Sequence, residues 1–461
     1  MMLVPPLLSE TSKAQGSGHL ARIAIIGRGF TGMMTAIALL KGLDKPFHLV
    51  VFDPEQKVDL SKGVNQSSSP LLNSRVRDLS VCPDHRDDFE AWISKDSALL
   101  QRLGLSRAGV ADAFVPGEIF NSYVYERFSE ALSRRTDVVF QIWSEKVSAI
   151  EPRASGLSVT FGGQRALFDT VFLATGYGLR DSQCEQSVSG KVEKAVVIGG
   201  GVHAVDRALR LLEDGGASHV TLISASGFLP QSHTRTAVGP ANLDRPLPNT
   251  LRGAFRFLRE AANLAAADGS GWQGIMNGFR LRAHDLWRGL TPEERSRFKR
   301  HVKSIYDSHR NRLPPEHYIR LHTAIAKGQI IVKKGKVERI ATNGVLISGP
   351  SGLEVLLADR TINCRLRPND LNSPLFRSVL EAGLASRDEV DLGILVDGSG
   401  RATTLANEFH GVFAMGPLGL GSLPDIDLAP QIVAQAHAAA DALDSWIDEV
   451  AASREAARNI G

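Results

Sequence analysis

The sequence predicts an α/β chain with two Rossmann-like (doubly wound) domains, the second of which carries a helical insertion. Three observations support this fold class. A strand, a Gly-rich turn and a helix follow one another near residues 22–42, and the same order returns about 170 residues later, from Lys194 onward. Between residues 250 and 312, apolar positions recur every three or four residues, which is typical of helices. Two such turns in one chain predict two dinucleotide sites.

Composition excludes several classes of protein. The 461 residues are 43% hydrophobic and 22% charged, which is ordinary for a globular chain, and the formal net charge of +3 does not favour a nucleic-acid binder. The chain has three widely spaced cysteines and no run of roughly 20 apolar residues. We therefore expect a cytoplasmic protein with no nucleic-acid partner, no membrane span and no metal site. Its 43 glycines are the first indication of nucleotide-binding turns.

The first Gly-rich turn is a GxGxxG sequence between the strand IAII and an Ala/Met/Leu-rich helix. Its glycines permit a tight turn, close approach of the backbone to a pyrophosphate, and close packing of helix on strand. The free N–H groups of the helix N-terminus favour the phosphates. The next strand ends in an aspartate 21 residues after the last glycine, near the spacing at which a carboxylate meets ribose hydroxyls. The predicted contacts are Gly27, Gly29, Phe30, Thr31, Gly32 and Asp53.

The second Gly-rich turn fits GxGxxA after the strand AVVI. The strand that should carry the ribose-binding acid ends in a serine, so the choice between NADH and NADPH stays open. A purely structural Rossmann half is the alternative interpretation. The predicted contacts are Gly199, Gly200, Gly201, Val202, His203, Ala204 and Ser224.

A basic helical segment spans residues 280–312. The simpler interpretation is a solvated face that also contains acidic residues. The alternative is that His309, Arg310 or Arg312 recognises a carboxylate or phosphate, because arginine offers a planar fork to such groups. No histidine spacing typical of a metal site is present.

Several further segments resemble a known family. The sequence LATG at residues 173–176 resembles the segment by which two-dinucleotide flavoproteins return the chain over FAD. KGVNQSSSPLLNSRVRDLS, DDFEAWI, FVPGEIFNSYV, SASGFLPQSH, DSHRNRLPP, TINCRLRP and GPLGLGSLPDIDLAPQIVAQA resemble, in order, segments of the FAD/NAD(P)-binding oxidoreductase family. That family is related to the flavin-dependent N-hydroxylating monooxygenases, including enzymes that oxidise the amine of an acidic amino acid.

The resemblance implies additional contacts with FAD. Gly27, Gly29, Gly32 and Asp53 would bind the ADP half, and the segment that ends in Asp425–Ile426 would close over the flavin from the C-terminal side. The further residues implied to lie at the cofactor are Gly63, Leu72, Asn73, Arg75, Ala174, Thr175, Gly176, Gly416, Pro417 and Leu418.

The composition of the first residues and the positions of the two strand–turn–helix units also predict domain boundaries. We expect a mobile leader at 1–19, a discontinuous FAD domain at 20–185 and 355–450, and an NAD(P)-binding-like domain at 190–350. The helical insertion would occupy 250–315 of the latter.

Three positions depart from the family pattern. Gly117 stands where an arginine usually follows FVP, the S-R-R-G segment is Ser224–Gly227, and the second C-T-G-like return is Cys364-Arg365-Leu366. The first two departures remove cations suited to an NADP 2′-phosphate. They leave the nicotinamide preference, and efficient reduction by a nicotinamide, open.

These observations predict an FAD-dependent monooxygenase that uses NAD(P)H and O₂ through a flavin C4a-(hydro)peroxide. Without a cysteine pair for a disulfide relay, the flavin would carry the redox chemistry. The expected substrate is a small molecule whose amine is oxidised, and an acidic amino-acid-like compound is one candidate. The sequence leaves open whether the protein forms a homo-oligomer. The alternatives are a flavin-dependent dehydrogenase or oxidase whose second Rossmann half is only scaffold, and a non-catalytic dinucleotide-binding protein.

Overall fold

A computed structural model describes residues 20–54, 70–177, 192–243, 245–365 and 371–460. The expected leader at 1–19 and the expected contact Gly63 lie outside these ranges. The described strands are β1 Ala21–Ile26, β2 Phe47–Phe52, β3 Val139–Trp143, β4 Val147–Arg153, β5 Gly156–Phe161, β6 Gln164–Phe168, β7 Thr170–Leu173, β8 Val192–Ile198, β9 Ala217–Ser224, β10 Ile330–Lys334, β11 Lys336–Ala341, β12 Gly344–Gly349, β13 Gly352–Leu357, β14 Arg360–Asn363, β15 Arg401–Thr403 and β16 Phe409–Ala414.

The α-helices of the same ranges connect these strands. They are α1 Phe30–Gly42, α2 Asp88–Lys95, α3 Ser97–Leu103, α4 Gly117–Ser133, α5 Val202–Glu213, α6 Leu251–Ala267, α7 Trp272–Leu281, α8 Ala283–Gly289, α9 Pro292–Arg297, α10 Lys303–Arg310, α11 Pro315–Ala326, α12 Pro374–Glu381 and α13 Ala429–Ile460. Shorter 3₁₀ turns lie at Val76–Asp78, Arg107–Gly109 and Gly416–Gly419, and a π-helical turn lies at Phe298–Val302.

The larger sheet has the strand order β15-β16-β7-β1-β2-β3, with every pair parallel except β15–β16. It combines strands from both ends of the chain. Residues of β1 alternate between its two faces: Ile23 and Ile25 pack with α1, α4 and α13, whereas Ala24 and Ile26 face the β4–β6 sheet and α12. Because parallel strands are buried on both faces, they read in the sequence as continuous apolar runs.

The smaller parallel sheet has the order β10-β9-β8-β14. Helices α5 and α11 cover one of its faces, and the antiparallel β11–β13 sheet covers the other. A third antiparallel sheet, β4–β6, packs on the larger sheet. Both parallel sheets carry a Gly-rich turn after a central strand, β1 in one and β8 in the other. The α/β fold class with two Rossmann-like units is thereby confirmed.

Helices α6 to α10 lie between β9 and β10 in the chain and form the helical segment expected from the sequence. The expected N-cap at Thr291 is confirmed as a capping box with Glu294, followed by Pro292 in the first turn. The last helix begins at Ala429 as expected, but it runs to Ile460 rather than ending near residue 450. Among the described helices, none has the length and apolar character that a membrane span requires.

Candidate dinucleotide and substrate sites

The first Gly-rich turn leaves one glycine open to a ligand and packs the other two against protein. A Cβ on Gly27, whose φ is +107°, would lie 2.5 Å from the Ala174 carbonyl oxygen. A Cβ on Gly32 would lie 1.9 Å from the Gly27 carbonyl oxygen, whereas a Cβ on Gly29 would meet nothing within 4 Å. Gly29 also precedes helix α1, which has no acidic residue in its first turn. The backbone of Gly29 is therefore accessible to a pyrophosphate.

Other predicted contacts gather around this turn. Asp53 follows β2 and is buried, and one of its carboxylate oxygens accepts a hydrogen bond of 2.7 Å from the Arg28 backbone N–H. A Cβ on Gly416 would lie 2.9 Å from the Thr31 hydroxyl oxygen, so the C-terminal segment reaches the same turn. The carboxyl ends of β1, β2, β7 and β16 thus supply backbone from distant parts of the chain. This arrangement fits the ADP half of FAD.

The second turn lies on the other parallel sheet. Gly199, with φ +139°, packs under the Cys364 carbonyl, and Gly200 packs against Ser224. A Cβ on Gly201 would meet nothing within 4 Å, and Gly201 precedes α5, which has no acidic residue in its first turn. This turn therefore also presents an open glycine and a helix N-terminus to an anion. The roles of these residues in binding a nicotinamide nucleotide stay predictions.

An ion-pair cluster joins the helical segment to the larger sheet. Arg310 is buried, and its guanidinium contacts three carboxylates: Nε lies 2.8 Å from Asp307, Nη1 and Nη2 donate to Asp427 at 2.8 and 2.9 Å, and Nη1 lies 3.1 Å from Asp425. Arg280 also contacts Asp425, at 2.9 Å. The protein therefore supplies counter-ions for Arg310. Its expected role in binding a ligand anion stays a prediction, which this arrangement does not favour.

The same cluster reaches the chain return that follows β7. The Tyr177 hydroxyl donates a hydrogen bond of 2.6 Å to Asp427. Burial alone would raise the pKa of Asp427, but the charge of Arg310 and the hydrogen bonds from Arg310 and Tyr177 lower it to about 2. Asp425 adopts a left-handed conformation with φ +64°, which costs a non-glycine residue on the order of 1 kcal/mol. The ion pairs therefore hold Asp425 and Asp427 in place.

Arg312 differs from Arg310 in its partners. It is also buried, but its Nε donates to the His309 carbonyl at 2.8 Å, its Nη2 donates to the Asn277 side-chain oxygen at 3.0 Å, and its guanidinium lies over Trp272. In the part of the chain that the structure describes, no carboxylate pairs with it. Burial, and then the charge of Arg280, lower its pKa to about 10, so it stays protonated at neutral pH. The role of Arg312 as an anion receptor stays a prediction, which its lack of a described carboxylate partner favours.

His309 lies beside this cation rather than at the ion-pair cluster. Its ring packs edge-on against Trp272, with ring centroids 5.0 Å apart, and its Nδ1 lies 2.8 Å from the Ile305 carbonyl oxygen. Within the described ranges, no three His, Cys, Asp or Glu side chains are grouped as a metal site would require.

His233 links the helical segment to the residues expected beside the flavin. Its Nε2 donates a hydrogen bond of 2.8 Å to the Asn73 carbonyl, which leaves Nδ1 as the acceptor nitrogen. Burial lowers the pKa of His233 to about 4, and the charges of Arg312, Arg75 and Arg280 act in the same direction. His233 is therefore neutral at physiological pH. The only sequence signal for a site role of His233 is its position in the SASGFLPQSH segment, which resembles the family.

Arg75 also connects the region after Asn73 to the loop that contains His233. Its guanidinium donates to the carbonyls of Asp112 and Thr234, each at 2.5 Å, and lies over the ring of Phe114. Because its donors hold backbone on both sides, Arg75 connects the 3₁₀ turn at Val76–Asp78 to the loop after β9. Leu72 lies at the start of this region, where its N–H donates to the Val115 carbonyl.

The two kinds of glycine predict opposite effects of the same substitution. Gly29→Ala should leave the unfolding temperature of the cofactor-free protein nearly unchanged and weaken FAD binding, because its Cβ would enter only the open space. Gly32→Ala should destabilise the cofactor-free protein, because its Cβ would overlap backbone. Thermal unfolding and FAD titration measure both, and equal unfolding temperatures for the two variants would contradict this assignment.

The ion-pair cluster predicts a large loss of stability for Arg310→Met. Removing one partner from a buried set of charges costs about 3–5 kcal/mol. Here the buried Asp427 loses its ion-pair partner, whereas Asp425 and Asp307 keep Arg280 and Lys303. Tyr177→Phe removes one hydrogen bond and should cost about 1–2 kcal/mol. Urea unfolding of the holoprotein measures both, with Arg259→Met on the exposed face of α6 as the control. A loss below about 1 kcal/mol for Arg310→Met would overturn the role of the cluster.

His233 predicts a pH dependence of stability. Its folded pKa of about 4 lies below the ordinary value of 6.5, so the unfolded chain takes up the proton first as the pH falls. The stability that the neutral ring provides is therefore complete above about pH 6.5 and is lost as the pH falls toward 4. His233→Gln should show a shallower decline in this window, measured by urea unfolding across pH. Identical slopes in both proteins would contradict the assignment.

Comparisons with known proteins agree with this geometry. Residues 24–178 match the family model described as FAD-NAD(P)-binding. No curated protein matches the sequence. The fold is similar to the reduced form of an ornithine hydroxylase from Pseudomonas aeruginosa, with a TM-score of 0.59 at 16% identity over 93% of this chain and 99% of that one.

Two further solved structures have the same architecture. An ornithine N-hydroxylase from Kutzneria sp. 744, whose structure includes reduced FAD, NADP⁺ and L-ornithine, gives a TM-score of 0.58 at 15% identity over 95% of this chain and all of that one. L-lysine 6-monooxygenase from Pseudomonas syringae gives 0.56 at 16% identity over 93% and 99%. The match over residues 24–178 therefore indicates an FAD/NAD(P)-binding domain, and 93–95% of the chain shares its fold with these three enzymes.

Proposed function

We propose that this protein is an FAD-dependent monooxygenase that uses NAD(P)H and O₂ to oxidise the amine of a small, anionic substrate. The observation that carries the proposal is the pair of open Gly-rich turns, one in the FAD/NAD(P)-binding domain and one on the second parallel sheet. A protein that only stored FAD would need one such turn. The presence of two accessible helix N-termini favours delivery of reducing equivalents from one dinucleotide to the other.

The residues of this chain would hold the cofactor and exclude water. Gly29, the N-terminus of α1 and Asp53 would receive the ADP half of FAD, and Asp425 and Ile426 would cover the flavin. Bound flavin would accept electrons from the nicotinamide nucleotide and would activate O₂. The ion pairs of Arg310 fix the covering segment, so that the reacting space is closed by a positioned backbone rather than by a free loop.

The anionic character of the substrate is inferred from Arg312. A buried guanidinium with only neutral partners carries a desolvation cost, which an incoming carboxylate or phosphate would offset. His233, itself in contact with Asn73, lies within the electrostatic influence of Arg312. An acidic amine held by Arg312 would therefore lie toward the segment expected beside the flavin. Neutral His233 adds no competing positive charge.

Anaerobic mixing of the purified holoprotein with NADH and NADPH separately tests the function. We expect reduction of the flavin by a nicotinamide, then oxygen-dependent formation of a hydroxylamine or a further N-oxidised product from acidic amines such as aspartate and glutamate. Bleaching of the flavin by the amine alone would instead indicate a dehydrogenase or oxidase. Tight FAD binding without reduction by either reagent would indicate a non-catalytic protein.

Arg312→Gln should separate substrate binding from cofactor reduction. We expect KM for an acidic amine to rise about tenfold or more, because one charge-assisted contact is worth about 1.5–3 kcal/mol, while the rate of flavin reduction changes little. Steady-state kinetics and stopped-flow absorbance measure the two effects. Arg259→Gln, on the exposed face of α6, is the matched control. An unchanged KM in Arg312→Gln would rule out this receptor.

A further inference from the structure

The ends of β9 and β10 lie side by side at the second Gly-rich turn. Ser224 and Lys334 are direct neighbours in the parallel register of these strands, and the Gly335 N–H donates to the Ser224 carbonyl at 3.1 Å. In a Rossmann-like unit, the strand that follows the Gly-rich helix ends at the adenosine ribose of the bound dinucleotide. The residue paired with that strand end is therefore placed near the ribose.

The turn after β9 is closed by a hydroxyl group. The Ser224 hydroxyl donates to the Phe228 carbonyl at 2.9 Å and accepts a hydrogen bond of 3.1 Å from the Gly227 N–H. A Cβ on Gly200 would lie 2.5 Å from the Ser224 hydroxyl oxygen, so the turn sits directly on the Gly-rich loop. Because a serine holds this position, no carboxylate at the end of β9 repels a phosphate on the ribose.

Lys334 lies along this turn. A Cβ on Gly227 would be 3.2 Å from Cδ of Lys334, so the aliphatic stem of the lysine passes over the turn. Lys334 is exposed, and within the described part of the chain no carboxylate forms an ion pair with it. The preceding residue differs: Lys333 contacts Glu354 at 2.8 Å. One lysine of the pair is thus neutralised by the protein, and the other offers its charge at the turn.

We propose that Lys334 recognises the 2′-phosphate of NADPH and sets the cofactor preference for NADPH over NADH. The lysine comes from the neighbouring strand and replaces the cations that the turn lacks at Ala225 and Ser226. The phenyl ring of Phe228, 46% exposed on the same turn, provides an apolar face for the adenine. The inference rests on the proposed function only in requiring that the second turn binds a nicotinamide nucleotide.

The expected size of the effect follows from the chemistry. A 2′-phosphate carries about −1.5 to −2 charges at neutral pH, and lysine meets it as a point charge. An exposed ion pair contributes up to about 1 kcal/mol, and a charge-assisted hydrogen bond about 1.5–3 kcal/mol. Loss of Lys334 should therefore reduce affinity for the 2′-phosphorylated nucleotide about 5- to 150-fold. Affinity for the unphosphorylated nucleotide should change less than twofold.

Lys334→Met and the matched control Lys333→Met test this role in the FAD-loaded protein. The first readout is equilibrium binding of adenosine 2′,5′-bisphosphate and of AMP, measured by calorimetry at two salt concentrations. The second is the ratio of kcat/KM for flavin reduction by NADPH and by NADH. We expect Lys334→Met to weaken the bisphosphate selectively, to lower the NADPH-to-NADH ratio by the same factor, and to reduce the salt dependence. Lys333→Met should cause none of these three changes.

The outcomes separate this inference from the proposed function. Selective weakening of the bisphosphate by Lys334→Met supports the inference even if no nicotinamide reduces the flavin, a result that would overturn the proposed function alone. Reduction by either nicotinamide with an unchanged ratio in Lys334→Met would overturn the inference and leave the function intact. Equal binding of AMP and the bisphosphate by the wild-type protein would also overturn it.

Discussion

The contact of Arg310 with three carboxylates is the interaction on which the arrangement of this molecule depends. It connects α10 of the helical segment to Asp425 and Asp427, which follow β16, and through Tyr177 to the chain that follows β7. Strands β7 and β16 both belong to the larger sheet and lie on the same side of β1, which leads into the first Gly-rich turn. A buried charge is tolerated only when it is paired and hydrogen-bonded, so the three segments have to meet in one geometry.

The two arginines at the end of this helical segment therefore have different roles, although they are two residues apart in the chain. The counter-ions of Arg310 come from the protein, and its contribution is to position backbone. The described partners of Arg312 are carbonyl and amide oxygens and an indole ring, and we propose that its counter-ion comes from a ligand. A similar contrast separates Lys333 from Lys334 at the second turn. In both pairs, the residue that has no carboxylate partner among the described residues is the one we assign to recognition.

Sequence patterns were sufficient where the physical cause is local. The requirement for glycine at position 32 follows from overlap with the Gly27 carbonyl within one strand–turn–helix unit, and Gly27 itself has a positive φ, which is a local property of the turn. The capping box at Thr291 is equally local. Local patterns could not distinguish Arg310 from Arg312, because both belong to one basic segment. Two of the three carboxylate partners of Arg310, Asp425 and Asp427, lie more than 100 residues away in the chain. Tyr177, Asp427 and His233 were overlooked as site residues for the same reason.

By itself, the sequence determined the α/β class, the two Gly-rich turns and the order of strands and helices, since these depend on steric limits and apolar periodicity over a few residues. Only the tertiary structure decided which cations are neutralised and which are available. It paired Lys334 with the end of β9 through strand register and brought Asp427 to Arg310 from the far end of the chain. Charge pairing depends on distances between segments remote in sequence, and folding alone establishes those distances.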